Sequence, residues 1–129
     1  TAMNAKRLRK LKGLAEASLP PTLYGDDDYD LLLVGWGSTR YVIEEALLRF
    51  ARPKTAFLQV KQPFPLHSSI EGFLRKAKVV VDVECNATGQ LAKLMKLYAD
   101  VTVDHKFLSW SGMEITVEEL LERLREIAI

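Results

Sequence analysis

Cysteine occurs once in this 129-residue chain, at Cys85. No intrachain disulfide can form, and a reducing, cytoplasmic setting is the expectation. Histidine is almost as scarce. His67 and His105 are far apart, and neither stands at ligand spacing from another His, Cys or carboxylate, so no metal site is expected. No apolar run approaches the roughly 20 residues that a membrane span needs, and no signal peptide opens the chain, which argues against a membrane partner. A Gly-x-Ser-x-Gly nucleophile elbow, a Walker motif and a glycosidase-type acid pair are all missing, and no catalytic residue is assigned. Neither an internal repeat nor a low-complexity tract is present. What remains is ordinary in composition: 48% hydrophobic residues, a mean hydropathy of −0.01 and a net charge of +1, as in one globular domain large enough to bury a core. The chain opens Thr1-Ala2-Met3, which reads as a piece of something longer.

Charge is unevenly placed. Lys6, Arg7, Arg9, Lys10 and Lys12 face only Glu16 within the first 25 residues, leaving the remainder net acidic. Leu8, Leu11, Leu14 and Ala15 recur at helical spacing, so this stretch reads as a helix with a solvated basic back. A nucleic-acid footprint is the alternative, disfavoured because no aromatic interleaves the basic residues as a stacking platform. Pro20-Pro21 stops that helix, and Asp26-Asp27-Asp28 makes a polar loop. Residues 1–28 are thus expected to be an appended helix and linker from an upstream domain, and residues 29–129 the domain proper.

From there strands and helices alternate. Strands are expected at about 30–35, 55–60 and 79–84, with Val101–Val103 and Lys106–Trp110 as further candidates. Helices are expected at about 39–51, burying Ile43, Ala46, Leu47 and Phe50, and after a Ser68/Glu71 capping box, burying Ile70, Phe73, Leu74 and Ala77. A third helix follows a Thr88 N-cap and buries Leu91, Leu94, Met95 and Tyr98. A Thr116/Glu119 capping box opens the last, with Val117, Leu120, Leu121, Leu124 and Ile127 on one side. Middle strands too apolar for a wet face imply an α/β fold with a mostly parallel sheet covered on both sides.

Three polar loops stand at strand exits. Gly35-Trp36-Gly37-Ser38-Thr39-Arg40 begins like a dinucleotide fingerprint, but Arg40 replaces its last glycine. The second strand ends Gln59-Val60-Lys61-Gln62 without the acid a ribose requires, and both departures count against NAD. A tight turn whose amides could hold an anion or a neighbouring carbonyl is left. Arg40 opposes the helix dipole unless an acid or anion pairs with it. Lys61-Gln62-Pro63-Phe64-Pro65 is a stiff loop presenting an aromatic, either to a partner or back onto the core. In Glu84, Asn86, Thr88, Gly89 and Gln90, the carboxylate at the strand end can act as a base or pin the loop, and pinning is the commoner use. Cys85 between them reads as a small buried hydrophobe.

These same loops, with Lys6–Leu11 and Gly112–Glu119, resemble the C-terminal part of the alpha subunit of 2-oxoacid:ferredoxin oxidoreductases, most closely the 2-oxoglutarate type. The resemblance implies a transketolase C-terminal-like domain of about five strands. It implies membership of an enzyme that decarboxylates a 2-oxoacid with coenzyme A and passes electrons to ferredoxin. Thiamine diphosphate, Mg, iron–sulfur clusters and coenzyme A would be held elsewhere in the complex, since one cysteine is too few for a cluster that takes four. The implied partners are the thiamine-diphosphate-binding beta subunit and the remainder of the alpha subunit, with a homodimer as a further expectation. The implied role is non-catalytic: structural support and subunit docking, with the three loops as contact candidates. The alternative is a stand-alone small-ligand or nucleotide-binding module using the Gly35–Thr39 turn.

Overall fold

The computed structural model describes residues 17–109 and 113–128. The expected basic helix around Lys6–Glu16 lies outside them, as does Trp110. Three strands carry the apolar runs. β2 (Leu31–Trp36), β3 (Thr55–Val60) and β4 (Val79–Glu84) are almost wholly buried, and β5 (His105–Leu108) lies at one edge. β1 (Thr22–Gly25) pairs antiparallel with β3, and every other pairing is parallel, in the order β1-β3-β2-β4-β5. Two corrections to the sequence reading follow. Residues 22–25, taken as linker, are an edge strand. Val101–Val103 is not a strand, because Asp104 already stands opposite Val80, where its side chain accepts the Val80 N–H at 2.7 Å. Almost no β4 precedes that point to pair with.

Alternate residues of each strand enter different cores. Leu31 and Leu33 face α1 (Thr39–Phe50) and α4 (Val117–Arg125), whose Ile43, Ala46, Leu120 and Leu124 cover that side. Leu32 and Val34 face α2 (Ile70–Lys76) and α3 (Gln90–Ala99), meeting Ile70, Leu74, Leu91 and Met95. The sheet is thus dry on both faces, as its Val/Leu-rich strands require.

Helix starts were legible in part. The Thr116/Glu119 capping box forms, with Glu119 N–H donating to Thr116 Oγ1 at 3.1 Å. The Ser68/Glu71 box does not: α2 begins after Ser69, whose N–H donates to His67 Nδ1 at 3.1 Å. Thr88 does not cap α3 either. Gly89 holds that position at φ +66°, a conformation glycine adopts without steric cost. Within α3 the buried residues are Leu91, Ala92, Met95 and Ala99, while Tyr98 points outward.

Candidate functional site

The chain leaves β2 to one side to reach β3, then crosses back over β2 to enter β4. The loops beyond β2 and β4 therefore diverge, and such a switch point is where open α/β sheets place their crevice. Here it has a volume of about 280 Å³ and is lined by Trp36, Gly37, Ser38, Thr39, Cys85, Asn86 and Gln90. Two of the three predicted loops meet in it. The third, Lys61–Pro65, does not: its Phe64 turns to Tyr98 of α3, ring centroids 5.6 Å apart. Cys85 is half-buried on the crevice wall rather than a core hydrophobe. A larger groove of about 610 Å³, lined by Tyr24, Leu47, Leu48 and Pro53, lies beside β1 and the start of β3, away from these strand ends.

Glu84 organises the α3 side of the crevice from beneath, through the lining residues Trp36 and Asn86. It is fully buried. Its Oε1 accepts the Leu91 N–H at 2.7 Å, the Asn86 Nδ2 amide at 3.0 Å and the Trp36 indole N–H at 3.3 Å, while Oε2 accepts the Ala92 N–H at 3.3 Å. Burial works to raise its pKa, yet the net effect is a lowered one. The Asp82 side chain, the Leu91 N–H, Asn86 and Trp36 together favour the ionised form. Asn86 completes the arrangement: its Oδ1 accepts the N–H groups of Gly89 at 2.8 Å, Thr88 at 3.1 Å and Gln90 at 3.4 Å. A helix start leaves four orphan donors. At α3 these are taken by the chain's own carboxylate and amide. Glu84 is therefore the loop-pinning carboxylate, and it occupies the position an external anion would take.

The opposite wall is different. Ser38 caps α1 without a side-chain hydrogen bond, and Thr39 Oγ1 donates back to Trp36 O at 2.8 Å. Arg40 has found its acid within its own helix, Glu44, at 2.9 Å, and lies against the rings of Tyr24 and Tyr41. It calls for no outside anion. Gly35 is required for space: a Cβ there would collide with Ile43 Cδ1 and lie 2.8 Å from Thr39 Oγ1.

Sequence reasoning passed over Asp82. It is fully buried on the same face of β4 as Glu84, and apart from that carboxylate no polar group bonds to either of its oxygens. Desolvation first, and the Glu84 carboxylate second, push its pKa up to about 10, against a weaker opposing pull from Lys106 on β5. At neutral pH it is a carboxylic acid beside a carboxylate. The signal was available: an Asp interrupting Val79–Val83, two residues from Glu84 and hence on its face.

Among the described residues no group of three or more His, Cys, Asp or Glu is placed to hold a metal ion. With a single cysteine in the sequence, the donor set does not fit an iron–sulfur cluster, which takes four. Nor do the donors at α3 fit a diphosphate, because Glu84 and Asn86 already use them.

Fold and crevice define a doubly wound α/β domain whose strand-end polar groups bind mainly one another. No protein-family model matches the chain. It is 31% identical over 134 residues to 2-oxoacid:ferredoxin oxidoreductase 1, subunit alpha, of Aeropyrum pernix, a match covering 97% of this chain and 21% of that protein. The corresponding subunit of Saccharolobus solfataricus is 26% identical, with 97% and 21% covered. The alpha chain of a probable 2-oxoacid ferredoxin oxidoreductase from Thermoplasma acidophilum is 30% identical, with 83% of this chain and 95% of that one covered and a TM-score of 0.57. The 2-oxoglutarate:ferredoxin oxidoreductase of Magnetococcus marinus, solved with 2-oxoglutarate, coenzyme A and succinyl-CoA bound, superposes with a TM-score of 0.86. At 23% identity over 97% of this chain and 22% of that one, it speaks for the fold alone. The chain belongs to the 2-oxoacid:ferredoxin oxidoreductase alpha-subunit family. It spans about one-fifth of the length of the curated relatives it matches. Among the described residues no helix is long and apolar enough to cross a membrane.

Proposed function

We propose that this chain is a non-catalytic, subunit-docking domain, transketolase C-terminal-like, of a 2-oxoacid:ferredoxin oxidoreductase of the 2-oxoglutarate type. The observation that carries this reading is the self-satisfied α3 wall of the crevice. Glu84 and Asn86 consume the amide donors that a phosphate or carboxylate ligand would need, and no catalytic constellation stands beside them among the described residues. The whole enzyme's chemistry then belongs to other parts of the complex: thiamine diphosphate and Mg on a beta subunit, iron–sulfur clusters, and a coenzyme A site. The partners of this domain are the remainder of the alpha subunit and that beta subunit. The loops Gly35–Arg40, Lys61–Pro65 and Glu84–Gln90 are contact candidates grouped at one end of the sheet.

Co-expression with the remainder of the alpha subunit and with the beta subunit tests the reading. A docking domain co-purifies with them in stoichiometric amount and shows no 2-oxoacid oxidation alone. The alternative, a stand-alone binding module, makes the opposite prediction. A ligand at 100 times its Kd stabilises by roughly 2.7 kcal/mol, so a midpoint shift of several degrees with Mg–thiamine diphosphate, coenzyme A, AMP or NAD would overturn the docking reading.

A further inference from the structure

Helix α3 carries two apolar stripes. Leu91, Ala92, Met95 and Ala99 face the sheet. Leu94, Leu97 and Tyr98 recur at i, i+3 and i+4 on another side, the spacing of a second helix-packing face. Leu97 is 71% exposed and Tyr98 57% exposed, and Phe64, 46% exposed, packs against Tyr98 to extend the patch. Exposed apolar groups clustered in this way mark interaction sites rather than random surface. Beside the stripe, between α3 and β5, runs a groove of about 580 Å³ with Ala92, Val103 and Leu97 as its apolar lining. Lys93, Lys96 and Lys106 rim it. Lys96 is paired with Asp100 at 2.9 Å, and Asp104 is engaged by the Val80 N–H. Lys93 and Lys106 have no ion pair among the described residues. β5 is an edge strand, and its Lys106 stands across the groove from Ala92, Lys93 and Leu97 of α3.

We propose that this groove and the outer stripe of α3 seat an acidic, amphipathic helix of a neighbouring chain in the complex. This rests on the docking reading above and names the surface and the partner chemistry. The stripe supplies the ridge that a second helix packs against. Lys93 and Lys106 select acidic flanks, because two unpaired ammonium groups beside an apolar floor attract carboxylates and repel a basic helix.

The uniformly ¹⁵N-labelled 129-residue chain is titrated with a synthetic Leu/Glu amphipathic helix, with its Leu/Lys counterpart, and with phosphatidylglycerol vesicles. The expected result is amide shifts centred on Leu94, Leu97, Tyr98 and Lys106 with the Leu/Glu helix alone. Affinity should fall about tenfold or more in Leu97→Asp and in the Lys93→Glu/Lys106→Glu double variant. The substituted side chains are all exposed, so unchanged thermal midpoints confirm the fold. No shift, equal shifts with the Leu/Lys helix, or binding to vesicles only would overturn the proposal. So would a concentration-dependent dimer that Leu97→Asp abolishes, which would make a second copy the occupant. Co-purification separates the two readings. If the wild-type chain and both variants bind the other subunits equally, this surface is refuted and the docking domain stands. If the wild type does not bind them, the docking domain fails while the titration still decides the surface.

Discussion

Replacing Asp82 by asparagine removes an ionisable proton from a buried carboxyl set against the Glu84 carboxylate. In the unfolded chain this group titrates near 3.8, and in the folded one near 10, because burial and the adjacent Glu84 disfavour its charge. The sign follows from which state holds the proton. Below about pH 4 both states hold it and the group costs nothing extra. As pH rises toward 10 the unfolded chain releases the proton and the folded chain keeps it, so stability falls by about 1.4 kcal/mol per pH unit. At pH 7 the accumulated cost is about 4 kcal/mol. An asparagine side chain at this position would carry no such term. Its extra amide donors cost about 1–3 kcal/mol if unpaired, but by an amount independent of pH. Urea denaturation of both proteins at pH 5, 6, 7 and 8 therefore isolates the effect. The stability of Asp82→Asn relative to wild type should climb by about 4 kcal/mol across that range. Glu84 keeps its Leu91, Asn86 and Trp36 donors in the variant and stays ionised there, and all other ionisable groups are common to both chains. Parallel pH profiles would refute the reasoning, since they would mean that Asp82 is ionised in the fold and held by Lys106.

Glu84→Ala should destabilise by about 2–4 kcal/mol in the same assay, because it strands the Leu91 and Ala92 amides and the Trp36 indole N–H in a buried site. A loss below about 1 kcal/mol would show that water replaces the carboxylate. Asn86→Ala should cost about 1–2 kcal/mol, the worth of an N-terminal cap, and amide exchange should quicken at Gly89 and Gln90 ahead of the rest of α3. Gly35→Ala should cost about 1–3 kcal/mol by overpacking Ile43 and Thr39. A thermal midpoint equal to wild type would mean that α1 can move away from β2 freely.

The central strands were legible because both their faces are buried. Leu31–Val34, Thr55–Val60 and Val79–Val83 are runs that no other environment accommodates, and β3 and β4 fall on their expected bounds. β1 was not legible. Thr22–Gly25 has neither a run nor a clean alternation, and it is a strand only because it lies opposite Ala56–Gln59. A non-local partner made it, as with many short edges. Val101–Val103 shows the reverse, since β-branched residues favour extension but cannot supply a neighbour. The third helix shows a different limit. Its sequence contains two apolar stripes, and pattern alone does not say which one faces the sheet. The small Ala92 and Ala99 sit inside, where a helix approaches a sheet closely, and the larger Leu97 and Tyr98 are left outside. The two strand-exit turns were legible as turns because Gly-rich and Asx-rich segments announce themselves. Their hydrogen bonding was not legible. Which donors meet which acceptors depends on the register of β2 against β4, and that is set by the whole sheet.

The burial of Glu84 has a consequence for where this domain can act. An anion approaching the start of α3 meets a carboxylate that already accepts the Leu91 and Ala92 amides. An anion that displaced Glu84 would leave two negative charges in the same buried site. Like charges at that distance raise the cost of every oxyanion, whether phosphate, carboxylate or enolate. The strand ends, where α/β folds usually bind ligands, are therefore electrostatically closed on the β4 side. Binding capacity is displaced outward to surfaces whose groups are not already committed: the exposed stripe of α3, Phe64 on its stiff loop, and the unpaired Lys93 and Lys106. Association there buries apolar area without breaking an internal bond, whereas ligand capture at the α3 wall of the crevice would have to undo the contacts that hold α3 to the sheet.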